Sequence, residues 1–196
     1  MSTAALNYYT PEEYLALERR AGFRSEYIDG RIVAMAGTPA PHNFIAGRIY
    51  AHLLSCIPDE CRAYFSEIKV RIAPGTRYTY PDVAVACSPE YGDSVLDTLL
   101  NPVLIVEVLS PSTEVYDRTE KFAAYRRIAT LREYVLVSQE RVLVECFRRE
   151  GDLWRFAAVD DLSASLELES VPCSLPLRDI YRDVDPGAPS GPPSGG

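Results

Sequence analysis

Lysine is nearly missing from this chain. Of 20 basic residues only Lys69 and Lys121 are lysine; the other 18 are arginine. A compositional bias toward arginine explains the excess. Where such a bias prevails, a surviving lysine marks a place that needs a compact ammonium rather than a planar guanidinium. Positive charge is also short overall, with a formal net charge of −8. That balance excludes a general nucleic-acid-coating protein, though not a local basic cleft. The five cysteines (Cys56, Cys61, Cys87, Cys146, Cys173) form no C-x-x-C pair and no Cys/His cluster in sequence. An odd, scattered set predicts reduced thiols, mostly buried as small apolar residues, and argues against a structural zinc site. No apolar run approaches the length of a membrane span. The N-terminal Met-Ser-Thr-Ala-Ala-Leu-Asn lacks the basic and apolar regions of a signal peptide, so a cytoplasmic protein without membrane contact is expected.

What is present is ordinary globular composition, 196 residues with 47% hydrophobic and 24% charged. It fits one domain over residues 1–184, followed by a disordered Pro/Gly/Ser-rich tail over 185–196. Thr10-Pro11-Glu12-Glu13 starts a helix, with Thr10 as N-cap and Glu13 at the capping-box position. Tyr14, Leu15 and Leu17 are expected to face inward. Asp29-Gly30 predicts a type I′ hairpin. Residues 43–57 carry a helical spacing in Phe44, Ile45, Ile49, Leu53 and Leu54. Strands are predicted near 61–65, 68–73, 82–87, 102–109, 133–138, 141–148 and 153–159, with a helix over 115–129. The fold class is α/β (α+β), with a mixed central β-sheet flanked by helices.

Two acids stand where stability alone would not put them. Asp82 opens the apolar segment 81–86, and Glu107 interrupts Pro102-Val-Leu-Ile-Val-Glu-Val-Leu109. The second run reads as a strand buried on both faces, where a carboxylate is expensive unless paired or bound to a cation. Hydrolysis of a phosphodiester needs an activated water, neutralised phosphate charge and help for the leaving oxygen. Mg²⁺ (or Mn²⁺) held by carboxylates supplies all three. Asp82 and Glu107 project into one cleft if their strands are neighbours, with the backbone carbonyl of Val108 as a third oxygen ligand. Lys121 is placed to orient or deprotonate the water, or to stabilise transition-state charge. Glu26 is the candidate extra acid.

These residues carry a resemblance. Residues 9–15 (Tyr-Thr-Pro-Glu-Glu-Tyr-Leu), Glu26-Tyr-Ile-Asp-Gly30, Pro81-Asp82 and Glu107-Val-Leu-Ser-Pro-Ser-Thr113 resemble the Uma-two family of endonuclease-like proteins. So do Asp117 with Lys121, Tyr125, and Glu133-Tyr-Val-Leu-Val137. The resemblance spans about residues 8–184 and implies a restriction-endonuclease-like core of the PD-(D/E)XK superfamily with a Mg²⁺-dependent nuclease site. Carried over, Asp82 matches the motif aspartate, Glu107 the second acid and Glu26 the upstream glutamate. One departure stands out: Leu109 occupies the place of the E-x-K lysine, and Lys121 resembles the relocated lysine of this family.

Simpler roles compete. Asp82 could cap a turn, Glu107 could pair with an arginine, Lys121 could be a solvated helix-start residue, and Glu26 could pair with Arg31 or Lys69. His42 is read as structural at a helix start, with a phosphate contact as the rival role. Ser110-Pro-Ser-Thr113 is read as a strand-to-helix turn that caps the helix. Arg71, Arg77, Arg118, Arg126 and Arg127 are the candidate phosphate contacts for DNA. A homodimer is expected, because duplex cutting calls for two sites. The alternatives are a nuclease-fold binding or assembly module that does not cut, and a metal-dependent hydrolase of another phosphoester.

Overall fold

The computed structural model describes residues 7–35, 37–72, 76–92 and 95–186. Most of the expected tail, residues 187–196, lies outside the described residues. Helix α1 (Pro11–Glu18) begins on the expected capping box. The Glu13 amide donates to Thr10 Oγ1 at 3.2 Å, and the Thr10 amide donates to the Glu13 carboxylate at 2.7 Å. Its inward face differs from the expectation: Tyr14 is fully buried, but Leu17 is exposed and Glu18 is buried. The reason is polar. Glu18 accepts hydrogen bonds from the Ser25 amide (3.0 Å) and the Tyr80 hydroxyl (2.9 Å), which fix it inward.

The hairpin of β1 (Ser25–Ile28) and β2 (Arg31–Ala34) turns at Asp29 and Gly30, with φ of 48° and 91°. Gly30 is required twice over, by that left-handed φ and because a Cβ there would meet the Tyr8 ring at 2.7 Å. Helix α2 (Ala40–Cys56) starts three residues earlier than the spacing suggests. Ile45, Ile49 and Leu53 are buried as expected, whereas Phe44 and Leu54 are exposed. Helical periodicity alone did not separate the two flanks of the stripe.

Six strands form the central sheet, in the order β11 (Leu153–Val159), β10 (Val144–Glu150), β9 (Glu133–Ser138), β8 (Leu104–Leu109), β6 (Val83–Cys87), β3 (Cys61–Phe65). The β8–β9 pair is parallel and the others antiparallel, so the sheet is mixed as expected. A second sheet runs β2, β1, β5 (Arg77–Thr79), β4 (Lys69–Ile72), β7 (Thr98–Leu99), with only β4–β7 parallel. The small β5, β7, β12 (Ser165–Leu168) and β13 (Cys173–Pro176) strands are too short to have stood out in the sequence.

All six residues of β8 are buried. Its even positions Leu104, Val106 and Val108 pack with α2 and β13 in one core cluster. Ile105 and Leu109 pack on the opposite face with Val70, Leu99 and Tyr125. This is the two-sided burial expected of a strand rich in Val, Ile and Leu. Each such side chain contributes about 1.5–3 kcal/mol on burial, so Glu107 in that row forfeits an equivalent amount before its charge is counted.

The expectation for the cysteines is corrected. Cys56 of α2 is bridged to Cys173 of β13, and Cys61 is bridged to Cys87, its partner across the β3–β6 ladder. Only Cys146 is a free, buried thiol. Partners 117 and 26 residues apart are joined by tertiary folding, which local spacing does not reveal. No helix among the described residues is long and apolar enough to cross a membrane.

Candidate active site

Strand pairing builds the site. The β6–β8 register sets Val83 against Val106, so one further step places Asp82 opposite Glu107. The Val108 amide donates to Asp82 Oδ2 at 2.7 Å, tying the aspartate to the next strand. His42, in the first turn of α2, reaches the same Oδ2 with Nε2 at 3.2 Å. His42 is 5% exposed, and its Nδ1 is buried with no partner. Both contacts fall on one carboxylate oxygen and fix the orientation of the other.

Glu107 shares the sheet face of Ile105 and Leu109, and points toward the segment that follows Ser110. That segment is α3 (Glu114–Tyr116), a π-wound turn (Asp117–Lys121) and α4 (Phe122–Tyr125). The wider π winding carries one extra residue per turn, a feature frequent at functional sites. Here it turns both Asp117 and Lys121 into the protein, at 3% and 6% exposure. Lys121 Nζ lies 2.9 Å from Glu107 Oε1, 3.5 Å from Glu26 Oε1 and 3.5 Å from Asp117 Oδ1. The Tyr125 hydroxyl donates to Glu107 Oε1 at 2.9 Å and contacts Thr79 Oγ1 at 3.0 Å. Glu26 arrives from β1 on the second sheet, where it accepts from the Tyr80 amide at 3.3 Å and the Tyr116 hydroxyl at 3.4 Å.

Glu26, Asp82, Glu107 and Lys121 therefore converge, and the solvated role for Lys121 is set aside. Glu26 pairs with Lys121, not with Arg31 or Lys69; Lys69 bonds Asp97 at 2.7 Å instead. Both lysines of the chain are buried beside carboxylates, as their rarity suggested. Asp117, Tyr125 and His42 are additions to the set. The i,i+4 spacing of Asp117 and Lys121 was the available signal for the first. His42 offered none beyond its helix-start position. The hydroxyls of 110–113 do not cap the helix: Ser110 Oγ contacts Ser112 Oγ and Thr113 Oγ1, and the Ser110 carbonyl takes the Glu114 amide.

The arginines are engaged locally. Arg118 pairs with Glu114 and Glu145, Arg77 with Asp29 and the Glu120 carbonyl, and Arg126 lies over the Phe122 ring. Arg71 sits beside Tyr78. Arg77 is within electrostatic reach of Tyr116.

The electrostatics are lopsided, with three carboxylates around one ammonium and a fourth, Asp82, acting on Glu107. Burial first, then Asp82 and Asp117, push the Glu107 carboxyl well above its ordinary range despite Lys121. Burial likewise raises Asp117. Burial opposes the charged form of Lys121, but Glu107, Glu26 and Asp117 outweigh it and hold the ammonium protonated far above its usual range. The residues fit a hard divalent cation: the donors are oxygens, and the excess negative charge is of the kind such an ion relieves.

A family model described as "Putative restriction endonuclease", under the name Uma2, matches residues 11–178. The uncharacterized protein slr1290 of Synechocystis is 37% identical over 176 residues, covering 89% of this chain and 92% of its own length. The uncharacterized protein sll1609 of the same organism is 37% identical over 154 residues, 78% of this chain and 87% of its own. A crystal structure of "a putative nuclease belonging to DUF820" from Anabaena variabilis superposes with a TM-score of 0.71 at 21% identity. It covers 88% of this chain and 97% of the other. The fold is thus the restriction-endonuclease-like one expected, with a mixed sheet flanked by helices.

Proposed function

The chain belongs to the Uma2 family of restriction-endonuclease-like proteins, and from that premise we propose that it is a Mg²⁺-dependent endonuclease hydrolysing DNA phosphodiester bonds. The observation that carries this reading is the convergence of Lys121 with Glu107, Glu26 and Asp117, beside an Asp82 already oriented by Val108 and His42. Such a cluster is costly to bury, and packing gives no return for it.

Asp82, Glu107 and the Val108 carbonyl would hold Mg²⁺ or Mn²⁺, which supplies Lewis-acid polarisation of the phosphate and a more acidic bound water. Lys121, 2.9 Å from Glu107, would orient or deprotonate the attacking water, or offer positive charge to the phosphate oxygens. Glu26 and Asp117 keep the ammonium in place. His42 orients Asp82 from behind. Arg77, at the rim, is the first candidate for a phosphate contact, ahead of Arg71, Arg118 and Arg126. The enzyme works in the cytoplasm as a homodimer that presents two sites to a duplex.

A second reading is a hydrolase of a smaller phosphoester. The net charge of −8 and the ion-paired Arg118 favour it, since both weaken long-range attraction of a polynucleotide. Calorimetry with Mg²⁺ and Mn²⁺ on wild type and Asp82→Ala/Glu107→Ala, run with plasmid nicking, separates the cases. Binding that vanishes in the double variant together with metal-dependent nicking supports the nuclease. Binding without nicking favours the small phosphoester or a binding module that does not cut, and no binding refutes the metal site.

A further inference from the structure

Far along the same helix from His42, a different set of donors meets. His52 and Cys56 are four residues apart on α2 and so share one face. Cys173, the first residue of β13, comes up against them, with its Cα 5.5 Å from that of Cys56. One donor atom from each of the three residues lies within 4.8 Å of the others. We propose that His52, Cys56 and Cys173 form a second metal site, for Zn²⁺ or a similarly thiophilic cation, that exists only when the Cys56–Cys173 bridge is reduced.

The imidazole is held by the same strand that carries Cys173. Its Nε2 lies 2.7 Å from the carbonyl oxygen of Ser174. A carbonyl only accepts, so Nε2 carries the hydrogen and the lone pair stands on Nδ1. An imidazole that donates its other N–H to a backbone carbonyl is the usual support behind a metal-bound histidine. Ser174 directly follows Cys173, so one short strand orients the ring and delivers a sulfur. Two thiolates and one imidazole select Zn²⁺ over Mg²⁺, which prefers oxygen. The site is chemically distinct from the acidic cluster.

Access is present. His52 and Cys56 are half-buried, and His52 also lines a cavity of about 420 Å³ with Phe44, Arg48, Asp179 and Arg182. That cavity brings solvent to the imidazole side of the site. The chemistry balances simply. A dithiol reductant transfers two electrons and two protons to the bridge, giving two cysteine thiols and its own disulfide. The cation then displaces two protons from those thiols, with no change in its oxidation state. Bridge and metal compete for the same two sulfurs, so each redox state excludes the other occupant. In a reducing compartment the metal-binding form is the one that persists.

Cobalt(II) is the probe, because a thiolate-to-cobalt charge-transfer band reports sulfur ligation directly, whatever the acidic cluster binds. The full chain carrying Asp82→Ala/Glu107→Ala is titrated with Co²⁺ after reduction by a phosphine and again after air oxidation. The expected result is one equivalent bound with a thiolate band in the reduced protein, no band in the oxidised one, and displacement by Zn²⁺. Cys173→Ser should abolish the band, and His52→Gln should weaken cobalt binding about 10–100-fold while circular dichroism stays unchanged. A reduced protein without the band overturns the proposal, as does a band that survives in Cys173→Ser. Should Cys173→Ser fail to fold, His52→Gln decides: unchanged affinity there overturns it too. Failure here leaves the acidic centre untouched, because plasmid nicking tests that centre separately.

Discussion

Glu107 and Glu133 lie on adjacent parallel strands of one sheet, at 3% and 1% exposure. Glu133 is surrounded by donors: Arg148 Nε at 2.8 Å, the amides of Glu169 and Ser170 at 3.0 and 2.7 Å, and the Ser170 hydroxyl at 2.5 Å. Those bonds overcome burial and hold its carboxyl below the ordinary 4.5. Glu107 receives Lys121 and Tyr125 on a single oxygen and is faced by Asp82 and Asp117, and its carboxyl rises. A buried acid that serves the fold is given its full complement of donors. The buried acid of the candidate site is left short of them, among others of its own sign.

The sharpest way to break this contrast is to remove the acids. Asp82→Ala/Glu107→Ala should lower plasmid nicking at least ~10³-fold and abolish Mg²⁺ binding, while the melting temperature holds or rises. Lys121→Ala should cost roughly 10²–10³-fold in nicking with Mg²⁺ affinity retained in calorimetry. Stability reverses the order of importance. Glu133→Ala should destabilise by about 3–5 kcal/mol in urea unfolding, since it takes the acceptor from Arg148 Nε, two backbone amides and the Ser170 hydroxyl, whereas Glu107→Gln should be neutral or stabilising. Next in size, His42→Gln should weaken Mg²⁺ binding about 10-fold, by loosening Asp82 without touching the metal.

The smallest effect is on the pH dependence of metal-free stability. For Glu107 the folded pKa is raised, so its contribution is lost as pH climbs above the ordinary 4.5. For Glu133 it is lowered, so stability is present above that value and lost as pH falls below it. Glu107→Gln should therefore flatten the less acidic side of the stability profile, and Glu133→Gln the acid side. Equal flattening by both would erase the distinction.

Much of this was legible in the residues. Thr10 and Glu13, Asp29-Gly30, and the Val/Ile/Leu run around Glu107 each obey local rules, and the structure follows them. The anomaly of a carboxylate in an apolar strand was itself the clue to Asp82 and Glu107. What stayed hidden depends on partners distant in sequence. Leu17, Phe44 and Leu54 fit a helical period yet face solvent, because neighbouring elements decide which flank is covered. Glu18 goes inward for Ser25 and Tyr80. The π winding over Asp117–Lys121 has no signal in the local sequence.

The acidic cluster also draws on three parts of the chain distant in sequence. Glu26 comes from the first hairpin, Asp82 and Glu107 from the central sheet, and Lys121 from the turn beyond it. Nearly half the chain separates Glu26 from Lys121, so their contact is a long-range one that carries a loop-closure entropy. During synthesis the N-terminal hairpin and the acids leave the ribosome before the lysine does. A partly made chain therefore holds the acids without their counter-charge, and the cluster is complete only in a finished protein.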